Sequence, residues 1–272
     1  MNTNIKAMNR YIRISSLLDE EIFKFKCKPD TDEVLIIKYI PDNSMNRVID
    51  IPSFVTGCKE YLFAGVKQNL KVIHKNNQIK NMSKIFSSYY GKRLDLTEFN
   101  TDGVEDITEM FKNCSYLEEL NIKDFNTKQV KRMTRLFAND YKLKDIDINS
   151  FETSKVTDMC GMFYSCEKLE RLDLSHFNTS NVCDMSYMFS GCTSISDLKI
   201  DKFDTSNVID MTEMFYHCGK LDYLKFKNFN VKNLAKSNYI FYGCYKLRNK
   251  EKLLNRLEQT KKWKEYLKDK EK

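Results

Sequence analysis

Between residues 82 and 249 apolar side chains return every 26 positions. One ladder is Phe111, Phe137, Phe163, Phe189, Phe215 and Phe241, with Phe86 placed 25 residues before it. A second is Phe99, Phe125, Phe151, Phe177, Phe203 and Phe229. Columns of Leu and Ile (Leu120, Ile146, Leu172, Leu198, Leu224), of Val (Val104 to Val208) and of Met (Met133, Met159, Met185, Met211) keep the same period. Within one unit, L-x-x-L-x-L alternates apolar and polar positions, which is strand spacing. A polar turn such as 178–181 follows. Then V-x-D-M-x-x-M-F spaces its apolar residues by three and four, which predicts about two turns of helix.

A strand, a turn and a short helix cannot bury an apolar face alone. Stacked copies can, and the period therefore predicts a solenoid. The fold class expected is α/β: a leucine-rich-repeat solenoid with a parallel strand ladder on one face and short helices on the other. Such a stack exposes its ends, so caps are expected. Ile5, Met8, Ile12, Leu17, Leu18, Ile22 and Phe25 suggest a helical or mixed N-terminal cap, which could equally be a docking element. VLIIKYI (34–40) reads as a buried strand. At the other end Leu253, Leu254, Leu257, Trp263 and Leu267 fall near one face of a basic capping helix.

The repeat LERLDLSHFNTSNVCDMSYMFSGC (169–192) resembles the BspA-type leucine-rich-repeat family of low-GC bacteria, whose units read L-x-x-L-D-L-S-x-F-x-T-S-x-V-x-D-M-x-x-M-F-x-x-C. VIDIPSFVTGCKEYLFAGVKQNLKVI (48–73) is similar to that family's second repeat class through Ile51, Pro52, Val55, Phe63, Leu70 and Ile73. The organisation expected is an N-terminal cap region over 1–47, a divergent repeat over 48–81, six regular repeats over 82–249 and the C-terminal helix over 250–272. The resemblance implies a leucine-rich-repeat fold and a protein-binding or adhesive role.

Composition narrows this further. No apolar window is long enough for a membrane helix. The start of the chain shows no apolar signal core, which predicts a cytoplasmic location, with the cell surface as the family-based alternative. The net charge is +7. It is unevenly placed: residues 1–85 carry +5, residues 250–272 carry +4, and residues 86–249 carry −2. A basic track for nucleic acid along the solenoid is therefore not expected, although the basic ends leave nucleic acid as a lesser partner.

Five Cys (Cys114, Cys166, Cys192, Cys218, Cys244) share one column, with Asp140 in a sixth place. That pattern is a stacked core, not a metal or disulfide motif. Cys160 and Cys183 stand outside it. His74, His176 and His217 lie in different repeats, with no nucleophile placed beside them. The Thr column (Thr101 to Thr205) and its Asn/Asp neighbours read as turn and bridging residues. Asp106, Asp158, Asp184 and Asp210 read as caps of the short helices. No catalytic group, metal or cofactor is expected, and no enzyme.

The strand positions between core residues should face outward. There the sequence varies while the core does not. The candidate binding residues on this face are Asp145, Asp147, Arg171, Asp173, Asp197, Lys199, Tyr223, Lys225 and Lys227. The function expected is a non-enzymatic module that binds another protein through the strand face or the caps, as an intracellular adaptor, inhibitor or effector-like protein. A bacterial surface adhesin and a nucleic-acid binder are the alternatives.

Overall fold

The computed structural model describes residues 23–27, 34–51, 55–75, 77–226 and 229–258. The chain winds into a stack of coils in which residues 26 apart sit above one another. Strands β1 (Phe23–Cys27), β2 (Val34–Tyr39), β3 (Asn46–Ile51), β4 (Gly57–Cys58) and β5 (Asn69–His74) precede the short strands β6 (Arg93–Asp95), β7 (Glu119–Asn121), β8 (Arg171–Asp173) and β9 (Asp197–Lys199). β1 and β2 form an antiparallel pair, and β2 continues in parallel to β4. β3, β5, β6 and β7 form one parallel sheet, and β8 and β9 another. A second line of contact consists of single parallel bridges from Asn81 through Asp106, Arg132, Asp158, Asp184 and Asp210 to Lys236.

The expected short helices are not formed. In their place each coil has a ribbon of consecutive tight turns. In the coil at 159–166, Met162, Tyr164 and Cys166 donate their amides to the carbonyls of Met159, Gly161 and Phe163. These are bonds three residues back, where an α-helix needs four. The intervening amides of Met159, Gly161, Phe163 and Ser165 donate instead to Asp184, Ser186, Met188 and Ser190 of the next coil. This alternation requires a left-handed residue at two places per coil, here Gly161 (φ 59°) and Ser165 (φ 55°). Arg135 and Asn139, Tyr187 and Gly191, and Glu213 and His217 occupy the same places in other coils. Two left-handed residues four apart end any right-handed helix. The apolar spacing of three, from Val156 to Met159 to Met162, matches these turns.

The core is continuous. Phe63, Phe86, Phe111, Phe137, Phe163, Phe189, Phe215 and Phe241 stack in order, with centroids 4.8–5.8 Å apart and planes within about 20° of parallel. All of these rings are buried. The Thr column bridges coils as its chemistry suggests. Thr127 Oγ1 donates to the Glu152 carbonyl at 2.9 Å and accepts the Glu152 amide at 2.8 Å, and Thr179 does the same with Asp204 at 2.9 and 2.8 Å. Asp106, Asp158, Asp184 and Asp210 cap no helix. Each accepts the amide two residues on, at 2.8–2.9 Å, in an Asx turn that starts the ribbon.

The ends also differ from expectation. The described part of the N-terminal region is the β1–β2 hairpin, so Phe25 lies in a strand, and residues 1–22 are outside the described residues. β2 falls where VLIIKYI predicts a strand. One helix is present among the described residues, α1 over 250–258. Leu253 and Leu257 on it are buried, one turn apart. Asn249, just before it, pairs through its side-chain amide with both backbone groups of Leu224. Trp263 and Leu267 lie outside the described residues.

Candidate interaction face

The alternation of each short strand sends one set of side chains inward and the next outward. Leu172 and Leu198 are buried, while Arg171, Asp173, Asp197 and Lys199 are exposed on either side. Asp145, Asp147 and Lys225 are exposed on the same face, and Tyr223 is 52% exposed. Lys227 lies outside the described residues.

Not all of these groups are equally available. Asp173 accepts the Ser175 amide at 3.0 Å and pairs with Lys199 at 2.9 Å. The Ser175 hydrogen bonds, then Lys199, hold its carboxyl well below the usual range. Lys199 is raised in turn by that same partner. Ion pairs across one coil spacing recur along the molecule, as Arg93 with Glu119, Lys131 with Glu105, and Arg248 with Asp222. Asp145, Asp147, Arg171, Asp197 and Lys225 make no ion pair among the described residues. Asp147 accepts the Asn149 amide at 3.1 Å.

Asp145 and Asp147 also sit on a different backbone. Their coil forms no strand, and the parallel ladder breaks between β7 and β8. Among the described residues, 145–147 exchange no backbone hydrogen bonds with either neighbouring strand. The acidic centre of the face therefore coincides with the break in the ladder. Sequence alone does not show this, because Ile146 and Ile148 keep the strand pattern.

The tempting chemical groups are absorbed by the fold. Cys166, Cys192, Cys218 and Cys244 donate their thiols to the carbonyls of Phe137, Phe163, Phe189 and Phe215 at 2.9–3.1 Å. Burial pushes Cys192 up to about 12 and Cys244 to about 11, far from a reactive thiolate. The described cysteines are free thiols, with Cys183 exposed and Cys160 half-buried. His74 contacts the Asn100 carbonyl at 2.9 Å, and His176 the Ile148 carbonyl at 3.1 Å. No group of metal-ligating side chains occurs among the described residues. No helix among them is long and apolar enough to cross a membrane.

Two features escape the repeat reading. Asp140 is fully buried in the thiol column. Its Oδ1 accepts the Cys114 amide at 2.9 Å, and its Oδ2 has no hydrogen-bond partner. Burial drives its carboxyl far above the ordinary carboxylate range. The other is Tyr89. Its amide bonds to Phe86 as that of Cys114 does to Phe111, so a tyrosine begins the thiol column. The 25-residue spacing from Phe86 to Phe111 is the trace of that change in the sequence.

Structures that resemble the chain are leucine-rich-repeat proteins. A leucine rich cell surface protein of Faecalibacterium prausnitzii is 19% identical, with a TM-score of 0.49 over 85% of this chain and 52% of its own. The chain thus spans about half the length of that protein. A leucine-rich-repeat protein of T. pallidum is 17% identical, with a TM-score of 0.47 over 89% of this chain and 95% of its own. No curated protein matches the sequence. A family model described as "Mycoplasma protein of unknown function, DUF285" matches residues 59–171 and 139–256. These matches cover most of the chain and all the regular coils, and the chain belongs to this DUF285 family, with repeats of the BspA leucine-rich type.

Proposed function

We propose that the chain is a non-enzymatic protein-binding module that presents its outward strand face to a partner. The observation that carries this is the contrast across each strand. Inward positions are apolar and buried or, at Leu120 and Ile146, half-buried, while outward positions are more exposed and differ from coil to coil. A rigid repeat array with a variable face suits recognition of an extended protein surface. The acidic centre at Asp145 and Asp147 makes no ion pair among the described residues, and a basic partner surface complements it. Buried, hydrogen-bonded thiols and backbone-bound histidines favour binding over catalysis.

The test is capture from lysate of the source cells, with nuclease present, by the native chain and by Asp145→Lys/Asp147→Lys. Recovery of a discrete protein that the double variant loses supports the reading. Equal recovery by both moves the site off this face. Recovery that disappears with nuclease would make the chain a nucleic-acid binder through its basic ends. Surface biotinylation of intact cells then places the encounter: a labelled chain meets its partner outside the cell, as an adhesin does, and an unlabelled chain meets it inside.

A further inference from the structure

Where the divergent repeat joins the regular coils, the chain builds a groove of about 690 Å³ at the start of β3, β5 and β6. Met45, Tyr90 and Tyr116 supply its apolar surface, and Lys67 and Lys92 its charge. No carboxylate lines it. Met45 is 79% exposed, Tyr116 56% and Tyr90 38%, so this surface is open to solvent. The two tyrosines meet edge to face, with centroids 5.8 Å apart.

The groove is held from beneath. Tyr89 turns inward next to Tyr90 and is fully buried. Its hydroxyl sits between the Gln68 and Arg93 carbonyls, which share its one hydrogen, and accepts the Leu70 amide, tying β5 to β6. Gly91 stands in the column that holds Leu117 in the next coil, and a Cβ there would collide with Tyr89 Oη and the Gln68 carbonyl. The Gln68 side chain in turn holds the Asp42 and Ser44 carbonyls at 2.9 and 3.0 Å, fixing the loop that presents Met45. Asn69 bonds Asn46 at 2.9 Å and the Arg93 amide at 3.1 Å across the floor. These residues break the 26-residue pattern together, and the break creates a fixed concave surface. Rigid aromatic surface in a pre-formed groove is the usual seat of binding energy.

The charge decides the occupant. Lys92 reaches Glu118 at 3.5 Å with both groups well exposed, and Lys67 has no ion pair among the described residues. We propose that this groove docks an acidic peptide segment, its carboxylates on Lys67 and Lys92 and an apolar anchor side chain between Met45, Tyr90 and Tyr116. The proposal rests on reading the chain as a protein-binding module, but at a surface separate from the acidic strand face and of opposite charge.

The experiment is fluorescence anisotropy of a fluorescein-labelled peptide, Gly-Glu-Asp-Trp-Glu-Asp-Gly, titrated with the full chain. Saturable binding that weakens as salt rises is expected. Tyr116→Ala, or Trp→Ala in the peptide, should each weaken it at least about fivefold. Lys67→Glu/Lys92→Glu, folded by circular dichroism, should abolish it. Asp145→Lys/Asp147→Lys should leave it unchanged, which separates failure here from failure of the strand face. No saturable binding, or equal binding by the lysine-reversed variant, overturns the proposal. A labelled oligo-dT that binds more tightly and displaces the peptide overturns it in favour of nucleic acid.

Discussion

The coils at 159–221 and the coil at 133–158 share one ring ladder and differ at their polar joints. In the former, thiols close the column and β8 pairs with β9. In the latter a buried carboxyl replaces the thiol, and the strand positions carry no ladder. Asp140 Oδ1 takes the place of the sulfur that accepts an amide. Its Oδ2 makes no hydrogen bond, so the donor role of the thiol goes unfilled in this coil. The lesson is that a solenoid tolerates one costly joint when the apolar stack runs through it unbroken.

The stack itself should give the largest effects and test that continuity. Phe163→Ala and Phe137→Ala each empty a place between two parallel rings and should each cost about 3–5 kcal/mol in urea unfolding. A cost below about 1 kcal/mol at Phe137 alone would show that the core, and not merely the joint, is loose there.

Replacing the joint comes next. Asp140→Cys restores the column and removes a buried group with an unpartnered oxygen. It should stabilise the chain by about 1–3 kcal/mol at neutral pH. If Asp140→Cys destabilises, the carboxyl is better satisfied than its surroundings indicate. The pH dependence sharpens this. The folded pKa of Asp140 lies above its unfolded value of about 4, so its contribution is fully present below that pH and is lost as pH rises toward the folded value. The ionisable groups coupled to it are the thiols of Cys114 and Cys166 and the hydroxyl of Tyr141, all pushed up by burial, and none of them is a cation that would offset its ionisation. Stability of the native chain should therefore fall, relative to Asp140→Asn, as pH rises above the unfolded value of about 4. Parallel curves would refute the assignment.

Much of this was legible before the structure. The Phe, Leu and Met columns, the stacking and the outward strand face follow directly from the 26-residue period. The Thr and Cys columns read as structural, and their hydrogen bonds agree. The ribbon is not legible, because its spacings of three and four resemble a helix. Telling them apart needs the backbone, since Arg135, Tyr187 and Glu213 carry no mark of left-handed φ in their side chains. The break at 145–147 is hidden for a similar reason, because Ile146 and Ile148 still alternate. Asp140 was visible as the odd residue of its column, but its missing partner is a fact of three dimensions. The groove left one sequence trace, the shortened spacing after Phe86, which has no meaning until Tyr89 is seen to turn inward.

The smallest effect lies on the exposed face, and its sign is opposite. Asp173 is held low by Ser175 and Lys199, so its contribution is present above about pH 4 and is lost as pH falls through the folded value. Because the pair is exposed, solvent screens it, and Lys199→Ala should lower the urea midpoint at neutral pH by less than any change above. The variant should also flatten the acid limb of the stability curve while leaving the limb above about pH 5, set by Asp140, unchanged. If Lys199→Ala moves both limbs, the two carboxyls are coupled through the coils, and the joint at Asp140 is not local.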